Sequence, residues 1–105
     1  MSNLLQVVTT VDQPEKAEQI ASTLINERLA ACVQIDGPIT SVYRWDGQIQ
    51  RDQEWRCTIK TITERSDEVL QRLEEIHPYD VPEILATRVD HATQGYASWA
   101  RENVR

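Results

Sequence analysis

Residues 39–61 read Ile39-Thr40-Ser41-Val42-Tyr43-Arg44-Trp45-Asp46-Gly47-Gln48-Ile49-Gln50-Arg51-Asp52-Gln53-Glu54-Trp55-Arg56-Cys57-Thr58-Ile59-Lys60-Thr61, and the Asp46-Gly47 pair near the middle decides how the rest is understood. An Asp-Gly pair between extended segments suits a tight hairpin, because such turns need positive φ angles that these residues tolerate. Ile39 to Trp45 is strand-like, and Gln48 to Thr61 returns. In the second half of the returning limb, Trp55, Cys57, Ile59 and Thr61 alternate with Glu54, Arg56, Thr58 and Lys60, so one face is buried. Both limbs exceed the usual strand length of about 5 to 6 residues, and their tips should project past a small core with Tyr43, Trp45 and Trp55 exposed. Large apolar surface on a projecting hairpin marks an interface, unless these aromatics fold back over the chain's own sheet.

Upstream, Leu29 to Ile35 is apolar and Asp36-Gly37-Pro38 interrupts it. Pro38 cannot donate to a ladder, so the segment reads as one long strand with a bend or bulge. Before it, Asp12 precedes Pro14 and Glu15 as a helix-start signal, and Ala17, Ile20, Ala21, Leu24 and Ile25 form one apolar helical stripe. Leu4 to Val11 is short, apolar and rich in Val and Thr, a buried strand. Downstream, Ser66 is expected to cap a helix through Ile76 with Val69, Leu70, Leu73 and Ile76 inward, and Pro78 closes it. Val81 to Val89 is a further strand, with Pro82 at its start or on an edge, and Thr93 caps a last helix. Two βαβ-like halves joined by a hairpin give an α+β, ferredoxin-like βαββαβ fold with an additional C-terminal helix.

The 105 residues, 40% of them hydrophobic, leave room for one domain, 1–105. A net charge of -6 disfavours nucleic acid, whose phosphates are held by clustered Lys and Arg. No run approaches the roughly 20 apolar residues of a membrane span, and Met1 to Val11 has no signal-peptide pattern, so the expected location is the cytoplasm. There Cys32 and Cys57 are expected to stay reduced. Neither belongs to a CxxC pair and His77 and His91 are not spaced as HxxxH, so any metal needs a looser or shared site.

Cys32 reads either as a soft-metal thiolate or as a small hydrophobe within Ala30-Ala31-Cys32-Val33, whereas Cys57 reads as packing. His77 sits at a helix end, where an imidazolium would complement the helix dipole. Tyr79, Asp80 and Glu83 follow within a few residues, a mixture that can bind a divalent ion or a small polar ligand. Cys32, His77 and Glu83 are the candidate metal ligands. Glu54 and Lys60 share a strand face and complete a candidate cleft with Tyr43, Trp45, Tyr79 and Asp80. No nucleophile elbow, Gly-rich phosphate loop or HExxH motif occurs, so no enzyme is expected.

Three blocks carry a family resemblance: Glu27-Arg28-Leu29-Ala30-Ala31-Cys32-Val33, Ser41-Val42-Tyr43-Arg44-Trp45-Asp46-Gly47, and His77-Pro78-Tyr79-Asp80-Val81-Pro82-Glu83-Ile84. Together the chain resembles the CutA divalent-cation tolerance family over nearly its whole length. One departure is Asp90-His91-Ala92-Thr93-Gln94-Gly95-Tyr96, which replaces the usual glycine-containing approach to the final helix and leaves that helix's start open. The resemblance implies a homotrimer with long strands pairing between subunits, similar in architecture to PII signalling proteins, and the projecting hairpin makes Tyr43, Trp45 and Trp55 its expected interface residues. It implies weak binding of divalent ions, copper foremost, with no obligatory cofactor. Two other functions stay open: a trimeric small-ligand sensor, by analogy of fold with PII proteins, and an assembly scaffold.

Overall fold

In the computed structural model, which describes residues 2–105, Asp46 and Gly47 take φ of +52° and +74°, the paired positive angles of a tight hairpin turn. Met1, included above in the single domain, lies outside the described residues. The limbs of this hairpin are β2 (Cys32–Trp45) and β3 (Gln48–Ile62), after β1 (Leu4–Val11) and α1 (Pro14–Asn26). A 3₁₀ turn (Thr63–Arg65), α2 (Ser66–Ile76), β4 (Ile84–Arg88) and α3 (Gln94–Glu102) follow. The sheet order is β2-β3-β1-β4 with every neighbouring pair antiparallel, which is the ferredoxin-like order.

Strand alternation gives the sheet two chemically distinct faces. Leu5, Val7, Val11, Cys57 and Ile59 point to the face covered by α1 and α2, where they pack with Ala17, Ile20, Leu24, Val69 and Leu73. On the other face, Leu4 and Ile62 meet Ala100 and Val104 of the C-terminal segment. That helix covers one end only. Toward the opposite end the second face carries Val8 in register with Thr58 and Leu85, then Thr10 opposite Arg56, and Leu85 is 59% exposed.

β1 pairs with β3 only over Trp55 to Ile62, so the outer seven residues of β3, 48–54, are held by β2 alone. At about 3.3 Å per residue they reach roughly 23 Å beyond the end of β1. The radius of gyration, 14.3 Å, exceeds the roughly 13 Å of a compact chain of this size, and the longest dimension is 45 Å against 25 and 23 Å for the others. The expected projection is present. The expected bulge is too: the β2–β3 register shifts between Asp36 and Ile39.

Several local expectations are corrected. Trp55 is not exposed; it lies on the helix-covered face opposite Val11, packs on the main core, and closes over Gly37. Asp12 does not cap α1 but pairs with Lys16 one turn later at 2.9 Å, and Gln13 holds the cap position. The 3₁₀ turn before α2 takes over the helix entry, so Ser66 is already helical. The strand expected over Val81 to Val89 shrinks to Ile84–Arg88, because β1 offers partners only from Leu5 to Thr9. Thr93 does hold the cap position of α3, without a side-chain cap, and the open start of that helix falls at Gln94.

Candidate functional site

The loop from His77 to Glu83 passes the end of β1 and reaches the root of the projecting hairpin. His77 ends α2 and is 8% exposed. Its Nδ1 accepts the Tyr79 backbone N–H at 3.1 Å, so Nε2 carries the ring proton and donates it to the Thr10 carbonyl at 2.9 Å. Burial lowers the imidazole pKa, with the Thr10 bond and the charges of Glu54 and Asp12 opposing it. The imidazolium expected at this helix end is therefore corrected to a neutral ring. Both nitrogens are engaged, and neither lone pair is free for a metal.

Tyr79 stands against the His77 ring with centroids 4.9 Å apart and planes at 62°. Its phenol donates to Glu54 Oε2 at 2.9 Å. Burial, then the bond to Glu54, pushes that phenol pKa upward, so it remains a donor. Tyr43 likewise donates to Asp52, which shares its hairpin face, and this bond also raises its pKa. Thr9 Oγ1 donates to the Glu83 carbonyl at 2.7 Å and ties the end of the loop to β1.

Between loop and hairpin opens a cleft of about 620 Å³. Tyr43, Trp45 and Tyr79 give it aromatic walls, and Val42 and Val81 add aliphatic surface. Its charged residues, Glu54, Asp80 and Glu83, are all acids, and Thr10 and Ser41 contribute hydroxyls. Arg56 lies on the same strand face as Glu54 but turns to Asp36, with bonds of 3.2 and 2.8 Å. This is the size and mixture of a small-ligand site.

Five of the six expected cleft residues thus converge: Tyr43, Trp45, Glu54, Tyr79 and Asp80. Lys60 does not. It lies opposite Cys32 and bonds Gln34 Oε1 at 2.6 Å. The three candidate metal ligands also separate within the chain. Cys32 is level with Lys60, whereas His77 binds Thr10, whose β3 partner is Arg56, four residues or roughly 13 Å away along the strand. Only Glu83 of the three lines the cleft. Cys57 is buried as expected, with its thiol toward the Ala17 carbonyl at 3.6 Å. Sequence reasoning missed Thr10, Ser41 and Asp52; period-2 alternation could have found Asp52, two residues before Glu54 on the same face.

The model of the CutA1 divalent ion tolerance protein family matches residues 5–103. The chain belongs to this family. The Thermus thermophilus divalent-cation tolerance protein CutA is 43% identical over 97 residues, 92% of this chain and 94% of that one. Its Thermotoga maritima counterpart is 36% identical over 101 residues, 96% of this chain and 99% of that one. Among solved structures, CutA from Xylella fastidiosa superposes with a TM-score of 0.95 at 34% identity, covering 99% of this chain and 100% of that one. The Archaeoglobus fulgidus protein, described as periplasmic, gives 0.93 at 32% identity, covering 97% of this chain and 99% of that one. The three blocks that carried the resemblance all fall within the matched CutA1 residues, and the loop block and the hairpin block face each other across the cleft.

Proposed function

We propose that this CutA-family chain serves divalent-cation tolerance in the cytoplasm as a non-enzymatic, trimeric, cation-responsive protein of PII-like architecture. The observation that carries the reading is the cleft itself, whose charged lining is Glu54, Asp80 and Glu83 without a lysine or arginine. A cation entering it is drawn by these carboxylates, which form no ready-made metal cluster among the described residues, to the place where the long hairpin meets the loop after α2. Copper and other divalent ions bind weakly, because the soft donor Cys32 is remote and His77 spends both nitrogens on the backbone.

Trimer formation draws support from the sheet. Among the described residues both of its edges, β2 and β4, lack a partner strand on one side, and its second face is uncovered beyond α3. Trp45 at 51% exposure and Leu85 on that face are unfavourable in water and suit burial against other copies.

Calorimetric titration with Cu2+, Zn2+ and Mg2+ at pH 7.5, with the oligomeric state confirmed by light scattering, tests the assignment. The double variant Glu54→Gln, Glu83→Gln should lose Cu2+ binding while Cys32→Ser keeps it. The reverse pattern would move the site to the other end of the sheet.

A further inference from the structure

The cleft's walls and polar atoms, taken together, discriminate among cations. Cation recognition by aromatic faces requires rings around a space large enough for the ligand, plus negative charge that outweighs desolvation. Both are present: Tyr43, Trp45 and Tyr79 line about 620 Å³, and Glu54, Asp80 and Glu83 supply the charge. The two phenols cannot serve an anion, because each already donates to a carboxylate, Tyr79 to Glu54 and Tyr43 to Asp52. Thr10 is the independent observation. It is 6% exposed and lines the cleft, and its hydroxyl makes no hydrogen bond among the described residues, although its carbonyl is taken by His77. No buried side-chain nitrogen or oxygen among the described residues lacks a partner, so this hydroxyl is open to the cleft, where it is placed to meet a polar group of a ligand.

A compact divalent ion uses this arrangement poorly. It seeks several oxygen or nitrogen donors at about 2 to 2.6 Å and gains nothing specific from aliphatic and aromatic walls. An ammonium group on a short carbon chain uses all of it: N–H donors for Thr10 and the carboxylates, charge against the rings, and methylenes against Val42 and Val81.

We infer that the cleft binds a small organic ammonium ion with an apolar body of a few carbons, in preference to anions and to neutral molecules of the same shape. This rests on the reading of the cleft as the cation site, and the test separates the two. The probes are butylammonium, its neutral analogue butanol and its anionic analogue butyrate, titrated into isotopically labelled full-length protein while backbone amide shifts are followed by NMR.

Butylammonium should shift Thr10, Ser41 and Val81 and bind about tenfold or more tighter than butanol, with butyrate silent. Glu83→Gln should weaken it about tenfold. Trp45→Leu, which keeps apolar bulk but removes the ring, should weaken it about threefold or more. Since Trp45 also bears on assembly, light scattering accompanies that variant, and Glu83→Gln carries the test if it dissociates. Equal binding of butanol or butyrate overturns the inference. So does Cu2+ binding that depends on Glu54 and Glu83 with no response to butylammonium, an outcome that leaves the proposed function standing. Silence of Thr10, Ser41 and Val81 toward both Cu2+ and butylammonium overturns both, as it would if a second copy fills the cleft.

Discussion

His77 and Thr10 are joined by a hydrogen bond from imidazole Nε2 to the backbone carbonyl at 2.9 Å, and this bond holds the loop after α2 against the end of β1. The imidazole is locked in place of a strand partner at the point where β1 stops and the hairpin continues alone. It thereby fixes where Tyr79 and, through it, Glu54 stand.

The same contact predicts a pH dependence of stability. Burial lowers the folded-state pKa of His77 below the 6.5 of a free side chain, so the unfolded chain takes up this proton first as pH falls. The contribution is complete above about 6.5 and is lost as pH falls through 6.5 toward the folded value. Urea unfolding at pH 7.5 and 5.5 should show a larger loss for the parent than for His77→Gln. Equal losses would mean that the folded ring titrates like that of the unfolded chain, and a smaller loss for the parent would mean that it is charged in the folded protein.

Gly37 takes φ of +155° and lies under the Trp55 indole, and a Cβ there would come within 2.5 Å of Trp55 Cδ1 and 2.8 Å of Cγ. Neither the ring, packed on the core, nor the backbone can yield cheaply. Gly37→Ala should cost about 2 kcal/mol or more in urea unfolding, with a change in tryptophan emission. A loss under about 0.5 kcal/mol would show that the bulge repacks freely.

Cys57 is fully buried among core side chains, and burial pushes its thiol up to about 11. Thiolates are the species that attack disulfide reagents, displacing the leaving thiolate, so Cys57 should be inert in the folded protein at pH 8. No more than one thiol per chain, Cys32, should react until denaturant is added. Two rapid equivalents under native conditions would contradict the packing.

Glu64 and Arg101 approach at 2.7 Å, and that bond chiefly lowers the Glu64 pKa to about 2. The pair is nonetheless solvent-facing, and screening by water leaves such bridges worth about 0 to 1 kcal/mol. Arg101→Met should therefore cost less than about 1 kcal/mol at pH 7. The small contribution is present above about 4.5 and fades as pH falls toward 2, which a pH series of unfolding curves on both proteins would follow.

If three copies assemble through the projecting hairpins, Trp45→Ala should weaken the assembly strongly, since removing a buried aromatic costs about 3 to 5 kcal/mol. Light scattering at micromolar concentration should then give a lower mass than the parent. An unchanged mass and melting temperature would remove Trp45 from the interface.

The sequence alone determined the element order, the hairpin turn at Asp46-Gly47, the bulge near Pro38 and the inward stripe of Cys57 and Ile59. These follow from local chemistry: positive φ at a turn, a missing amide, period-2 alternation. It also carried the family, through three blocks that all fall within the matched residues 5–103. Which of the candidate groups meet depends on how distant segments pack. Lys60 and Glu54 share a strand face, yet six residues of extended chain put roughly 20 Å between them, and Lys60 falls beside Cys32 instead of the cleft. His77 read as a helix end where an imidazolium would complement the dipole, but the loop folds the ring against Thr10 with both nitrogens engaged. Trp55 and Trp45 have similar sequence surroundings, but β1 lies beside the first and not the second, so one packs, partly buried, on the core and the other remains exposed. Periodicity assigns a side chain to a face; what covers that face depends on where a distant segment ends.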